Sequence, residues 1–156
     1  MKIVYYSGSG NTEKMANLIA EGIKEEGKTA ELINVSSAGL DVFDNEDIVI
    51  LGCPAMGDEV LEEAEFEHFM EGISDKISGK KVALFGSYGW GDGQWMRDWQ
   101  GFVFHVLTSA CFCNFTGILV IVIISCSCGK SNWICGFFEC GGLKIGMRCA
   151  DIDKKW

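Results

Sequence analysis

The sequence predicts an α/β fold built on an open parallel sheet. Short apolar segments alternate with stretches of helical periodicity, and three of the apolar segments run directly into glycine-rich loops. This alternation of strand and helix is the βαβ pattern of a parallel sheet. At 156 residues, we expect the chain to form one domain, residues 1–156.

Four apolar segments are predicted as strands, over residues 3–6, 30–35, 48–51 and 82–85. Helical spacing links Met15, Leu18, Ile19, Gly22 and Ile23 after the first of them, and Gly27 is placed to end that helix. A second apolar stripe predicts a helix that is closed by Ser78 and Gly79; it consists of Phe66, Phe69, Met70, Ile73 and Ile77.

The glycine-rich loops are residues 7–12, 52–59 and 86–93. In an open parallel sheet the carboxyl ends of the strands face one edge, where ligands usually bind. We therefore expect the three loops to share one binding site.

The first loop is suited to an anion. It leads into a helix start, where backbone N–H groups lack partners, and Ser7, Ser9, Asn11 and Thr12 add polar side chains. A phosphate fits; alternatively, Asn11 or Thr12 only caps the helix. The loop matches neither a P-loop nor a complete dinucleotide fingerprint. Because it contains no Lys or Arg, it suits holding a phosphate monoester better than transferring a phosphoryl group.

The other two loops offer groups that could enclose a flat ligand. Met56 lies in the second loop, and Tyr88, Trp90 and Trp95 lie in or beside the third. A thioether and an aromatic side chain on opposing loops can sandwich a planar ring, although each alone is more often core packing. Together with a phosphate loop, they favour flavin mononucleotide (FMN).

Negative charge dominates the chain, with a formal net charge of −9. A nucleic-acid partner is therefore not expected. Six acids fall within ten residues beside the proposed ring site: Asp58, Glu59, Glu62, Glu63, Glu65 and Glu67. Most are expected on a solvated helix face, and their field should disfavour a reduced, anionic ligand and lower its potential.

No catalytic set is visible in the sequence. His68 and His105 are single histidines, and His68 is expected at the surface. Cys53 follows a strand and is expected to be a buried small hydrophobe rather than a nucleophile.

Three segments carry a resemblance to a known family. "KIVYYSGSGNTEKMA", "DIVILGCPAMGDEVLEE" and "GKKVALFGSYGWGDGQWMRDW" closely resemble the short-chain flavodoxins of anaerobic bacteria, the clostridial type. The resemblance covers roughly residues 1–100. It implies a doubly wound, parallel five-stranded sheet of order 2-1-3-4-5, with FMN at the switch between strands 1 and 3.

The resemblance also implies roles for individual residues. The FMN phosphate would be wrapped by Ser7, Gly8, Ser9, Gly10, Asn11 and Thr12. Met56 and Trp90 would flank the ring, and the Gly57 carbonyl would accept a hydrogen bond from flavin N5 after the Gly57–Asp58 peptide flips on reduction. Glu59 would pair with flavin N3–H. The remaining expected contacts are Pro54, Ala55, Ser87, Tyr88, Gly89 and Gly91.

The implied function is single-electron transfer between iron–sulfur and flavin enzymes, without turnover of a substrate. We expect a monomeric protein. We also expect it to be cytoplasmic, since no signal-peptide pattern is present at its start. An FMN-dependent reductase on the same fold, or a membrane-tethered or non-redox module, is the alternative.

After residue 100 the chain changes character. Residues 99–129 contain no Asp, Glu, Lys or Arg, and seven cysteines follow Ala110. A helix over residues 96–110 and a buried strand over 117–125 are predicted, but no closing helix. Three explanations stay open: a mistranslated or frameshifted segment, a membrane anchor, or a metal site that uses Cys111, Cys113, Cys126 and Cys128. All residues assigned to FMN precede this region.

Overall fold

The computed structural model describes residues 1–109, 120–126 and 134–135 of the chain. Six strands lie in these residues: β1 (Lys2–Tyr5), β2 (Glu31–Asn34), β3 (Ile48–Gly52), β4 (Lys81–Tyr88), β5 (Val120–Cys126) and β6 (Ile134–Cys135). They also contain three α-helices, α1 (Asn11–Glu25), α2 (Phe66–Ile73) and α3 (Gln94–Ser109), and short 3₁₀ helices at Val35–Ser37 and Ser74–Lys76.

The strands form one sheet in the order β2-β1-β3-β4-β5-β6. The first five pair in parallel and confirm the expected order, whereas β6 pairs antiparallel with β5 at the edge. A two-residue strand carries no apolar period, so the sequence does not reveal β6. Because β2 and β3 lie on opposite sides of β1, the strand order reverses between β1 and β3.

The register brings the ends of the central strands into line. Tyr5, the last residue of β1, lies opposite Gly52, and Gly52 lies opposite Phe85 of β4. A side chain at Gly52 has no room, since a Cβ there would lie 2.1 Å from the Phe85 ring. The loops that follow β1, β3 and β4 therefore start from one edge of the sheet, as predicted.

Helices cover both faces of the sheet, which confirms the doubly wound class. Ile3 and Tyr5 of β1 pack in one apolar cluster with Met15 of α1. Val4, which points to the other face because successive strand residues alternate, packs in the cluster that contains the apolar faces of α2 and α3. Burial of these helix stripes stabilises both layers, at roughly 1.5–3 kcal/mol per large apolar side chain.

The predicted helix boundaries agree with the structure to within a few residues. Gly27 follows α1 with a φ of 74°, and its N–H bonds to the Lys24 carbonyl, so it ends the helix as predicted. The stripe from Phe66 to Ile77 divides into α2 and a 3₁₀ turn before Gly79, whose φ is 75°. The helix predicted over residues 96–110 corresponds to α3.

Part of the predicted tail lies outside the described residues. The strand predicted over 117–125 overlaps β5, but its predicted burial concerns side chains that are not described. Cys111, Cys113 and Cys128, and the side chain of Cys126, are likewise outside the described part. Among the residues that are described, no helix is long and apolar enough to cross a membrane.

Candidate functional site

The first loop curls around the hydroxyl of Ser7. Ser7 Oγ accepts hydrogen bonds from the N–H of Gly10 at 3.1 Å and of Glu13 at 3.2 Å. Gly10 adopts a φ of 85°, a conformation that glycine reaches without steric cost, and α1 begins at the next residue. Ser7 lies before the helix and accepts a hydrogen bond from an N–H of its first turn. It therefore has the capping role that the sequence analysis gave as an alternative for Asn11 or Thr12.

The third loop is joined to the first by two buried hydroxyl groups. Thr12 Oγ1 lies 3.2 Å from Ser87 Oγ, across 75 residues of sequence, and both side chains are buried. On its other side, Ser87 accepts a hydrogen bond at its carbonyl from the Ala55 N–H at 2.9 Å. Ser87 thus ties together all three loops that the sequence assigned to one site.

The loops enclose a cavity of about 350 Å³. Nine residues line it, and all were predicted as cofactor contacts: Gly8, Ser9, Asn11, Pro54, Ala55, Met56, Ser87, Tyr88 and Gly89. These residues bring to the cavity the backbone of two glycines, side-chain hydroxyl and amide groups, and one thioether. No Lys or Arg is among these lining residues, so an anion here would rely on N–H and O–H donors.

A tight turn carries the predicted ring contacts of the second loop. Met56 and Val60 exchange two backbone hydrogen bonds, of 2.9 and 3.0 Å, and the tip at Gly57 and Asp58 is exposed. Gly57 has a φ of 44° and Glu59 a φ of 59°; the latter is uncommon for a residue with a side chain. The turn presents Met56 at the rim of the cavity.

Two tryptophans, Trp90 in the third loop and Trp95 in α3 just after it, behave differently. Trp90 is 62% exposed, which is unusual for so large an apolar group and leaves its ring accessible, although it is not among the residues that line the cavity. Trp95 is 1% exposed and stacks on Trp99 in the core, with ring centroids 6.2 Å apart. Trp95, which the sequence offered as a possible ring partner, is therefore a core residue.

Glu59 spans the second and third loops. Its Oε1 accepts a hydrogen bond from the Gly93 N–H at 2.8 Å. Its carboxylate also occupies the space that a side chain at Gly91 would need, since a Cβ there would lie 2.3 Å from Cδ. The sequence did not predict this contact, and no local pattern encodes it.

The acidic run is not uniform. Glu63, Glu65 and Glu67 are exposed, as the sequence predicted for most of the run, but Glu62 is only 8% exposed. Burial raises the pKa of Glu62, but hydrogen bonds from the N–H groups of Phe66, Glu65 and Ala64, with a smaller contribution from His68, outweigh burial and leave that pKa below its ordinary value. Glu62 is thus the buried member of a run of which most were expected on a solvated face.

Cys53 and His68 lie where the sequence predicted them. Cys53 is fully buried, and burial raises the pKa of its thiol to about 12, against a hydrogen bond from the Glu62 N–H. The thiol is therefore neutral at ordinary pH and is not poised as a nucleophile. His68 is exposed, with Nδ1 2.9 Å from the Glu63 carbonyl. Within the described residues, no cluster of His, Cys, Asp and Glu could hold a metal ion.

Residues 3–121 match the family model described as Flavodoxin. The chain belongs to the flavodoxin family. It is 73% identical over 100 residues to the flavodoxin of Clostridium beijerinckii, covering 64% of this chain and 72% of that relative. Identity to the flavodoxin of Megasphaera elsdenii is 47% over 100 residues, covering 64% of this chain and 73% of the relative.

A solved flavodoxin has the same fold. The solution structure of two-electron reduced Megasphaera elsdenii flavodoxin superimposes with a TM-score of 0.69, at 40% identity, over 80% of this chain and 83% of that one. Flavodoxins bind FMN at the switch point between β1 and β3. The cavity of this chain lies at that switch point, and the glycine backbone, hydroxyl and amide groups of its lining residues fit the binding of FMN.

Proposed function

We propose that the chain is a low-potential one-electron carrier that binds FMN non-covalently and shuttles electrons between redox enzymes. The observation that carries this proposal is the cavity where the three loops meet, lined by nine residues from those loops. Flavin supplies the redox chemistry when bound, since it accepts and releases single electrons. The residues of the chain have to hold it, shield it and set its potential.

The phosphate would be held by the first loop. Backbone N–H groups at the start of α1, with the side chains of Ser7, Ser9, Asn11 and Thr12, offer neutral donors to a dianion. Gly8 and Gly10 let the backbone approach closely. Because the Ser7 hydroxyl already accepts two N–H groups, its single proton points away from them and would be available to an anion in the loop.

The ring would lie between the second and third loops. Met56 and Trp90 flank it, the peptides of Gly57 and Asp58 lie exposed on the turn, and Glu59 accepts from N3–H. The further contacts are Pro54, Ala55, Ser87, Tyr88, Gly89 and Gly91. Neighbouring carboxylates disfavour added negative charge, and about 1.4 kcal/mol of that effect corresponds to about 60 mV in a one-electron potential. A low potential follows.

The partners would be proteins with basic docking surfaces. Residues 1–100 hold nineteen acidic and eight basic residues, so their net negative charge complements a positive patch around a partner's iron–sulfur or flavin centre. We propose a monomeric, cytoplasmic carrier without catalytic turnover of its own.

Titration of FMN fluorescence with purified protein tests the proposal. We expect stoichiometric quenching and, during stepwise reduction, two separate one-electron steps in the visible spectrum. Ser7→Ala should weaken binding at least tenfold, whereas Ser78→Ala, which alters a serine before β4 at the opposite edge of the sheet, should not. Unquenched FMN at protein excess would refute the proposal. Steady oxidation of NAD(P)H by the loaded protein would indicate an FMN-dependent reductase instead.

A further inference from the structure

Glu62 is a buried carboxylate outside the residues that line the cavity. Its Oε1 accepts from the N–H of Ala64 at 3.0 Å, and its Oε2 accepts from the N–H groups of Glu65 at 2.9 Å and Phe66 at 2.8 Å. These N–H groups belong to the approach to α2, which begins at Phe66. Hydrogen bonds to an ionised acceptor are among the strong ones.

The backbone of Glu62 is fixed as firmly as its side chain. Its carbonyl accepts from the Glu67 N–H at 2.9 Å, inside α2, and its N–H donates to Cys53 Sγ at 3.5 Å. Cys53 follows β3 and is itself bound to β4, since its N–H donates to the Phe85 carbonyl at 3.0 Å. Glu62 therefore links the end of the central sheet to the start of α2.

The segment between these two fixed points is the turn that presents Met56. Before the turn, Ala55 is bound to Ser87; within it, Met56 and Val60 close the two-bond bridge. The turn leaves Gly57 and Asp58 exposed, so few contacts hold its tip. Its position relative to the cavity is therefore set by its two ends and by the hydrogen bond from the Gly93 N–H to the Glu59 carboxylate, and Glu62 fixes the second end.

We propose that the Glu62 carboxylate is a positioning group that holds the Met56–Val60 turn against the flavin, although Glu62 does not line the cavity. This inference rests on the proposed function. The three N–H groups use both oxygens of the carboxylate, and a glutamine side chain offers only one acceptor oxygen. Without it, the approach to α2 frays and the turn loses its fixed distance from the ring.

Glu62→Gln and Glu63→Gln form a matched pair. Both substitutions remove one carboxylate, and the two positions are adjacent. Glu63 is exposed, so its replacement disturbs no buried hydrogen bond of its side chain, whereas a glutamine side chain at position 62 would place an NH₂ group against N–H donors. In FMN-free protein, we expect amide hydrogen exchange at residues 64–66 to accelerate at least tenfold in Glu62→Gln and to be unchanged in Glu63→Gln. This readout does not depend on flavin.

With FMN bound, the potential of the first one-electron step separates position from charge. Loss of the buried Glu62 charge, which is less screened than that of exposed Glu63, can by itself shift the potential further in Glu62→Gln, so positioning is judged from a shift in Glu62→Asp together with at least tenfold weaker FMN binding. Glu62→Asp keeps the charge but shortens the reach; it should show the faster exchange and weaker binding, and it serves if Glu62→Gln does not fold.

Two results would overturn the inference. One is that Glu62→Gln and Glu62→Asp match Glu63→Gln in exchange, FMN affinity and potential. The other is faster exchange in the Glu62 variants with affinity and potential equal to those of Glu63→Gln, which would make the carboxylate a helix anchor only. If the unaltered protein binds no FMN, the proposed function fails and this inference fails with it, whereas either of the two results above, in a chain that binds FMN, refutes the inference alone.

Discussion

Gly91→Ala should uncouple the second and third loops. Gly91 has a φ of 87°, which is unfavourable for any residue with a Cβ, and that Cβ would lie 2.3, 2.4 and 2.7 Å from Cδ, Oε1 and Oε2 of Glu59. Heavy atoms do not approach so closely, so the Glu59 carboxylate must move. Its hydrogen bond of 2.8 Å from the Gly93 N–H then breaks.

Two contributions set the size of the effect. The left-handed backbone costs about 1–2 kcal/mol once a Cβ is present. A hydrogen bond to a charged group contributes about 1.5–3 kcal/mol, and we take about 1 kcal/mol because Glu59 is half-exposed. Together these lower the free energy of unfolding by about 2–3 kcal/mol.

Urea unfolding of the FMN-free protein measures this difference, with two controls. Gly27 has a φ of 74°, and a Cβ added there would have no atom within 4 Å, so Gly27→Ala isolates the backbone effect of about 1–2 kcal/mol. In a Glu59→Ala background, Gly91→Ala should cost no more than Gly27→Ala. The coupling between the loops is refuted if Gly91→Ala and Gly27→Ala lower the free energy of unfolding of the unaltered chain equally. It is also refuted if the larger decrease caused by Gly91→Ala persists when Glu59 is replaced.

Three further results are expected. Gly86→Ala places a Cβ 2.0 Å from the Cys53 carbonyl oxygen and 2.4 Å from the Trp95 ring, so thermal unfolding should show that it lowers the free energy of unfolding by about 3 kcal/mol or more. Gly101→Ala, in an open position of α3, should instead raise the free energy of unfolding by up to about 1 kcal/mol. Because the pKa of Glu62 is lowered in the folded state, its carboxylate stabilises the fold at pH values above its ordinary pKa of 4.5, and this contribution is lost as pH falls through the folded pKa. Urea unfolding at neutral and acidic pH should therefore show that acid lowers the free energy of unfolding less in Glu62→Gln than in the unaltered chain. Because Cys53 is fully buried and its pKa is raised to about 12, peptide mapping after alkylation should find Cys53 unmodified in the native protein and modified in urea, and equal labelling in both would contradict its burial.

Apolar pattern was sufficient to predict strands β1 to β5 and the three α-helices, but neither the short β6 nor where each element ends. The predicted second strand included Val35, whereas β2 ends at Asn34, because the Asn34 side chain accepts from the Ser36 N–H and turns the chain into a 3₁₀ helix. The fourth strand was predicted to end at Phe85 but extends to Tyr88. That extension depends on pairing with β5, which local sequence does not contain.

The residues of the cavity were predictable because strand-end loops in a parallel sheet must converge, whatever the side chains do. The contacts of Glu59 and Glu62 were not predictable. Both belong to one acidic run, yet one carboxylate reaches Gly93 on another loop and the other turns inward beneath α2. Which acid of such a run turns inward depends on the path of the backbone, and composition alone assigns all of them to solvent.

The site also depends on a strand that lies beyond every residue assigned to FMN. Ser87 and Tyr88 line the cavity as the last residues of β4, where they pair with Ser125 and Cys126 of β5. Ser87 in turn receives the hydrogen bond from Ala55 that fixes the second loop. Without β5 the end of β4 would be an unpaired edge, so this strand bears on the geometry of the site although every residue assigned to FMN precedes it. The geometry of the flavin cavity and the pairing of β5 are parts of one hydrogen-bonded array.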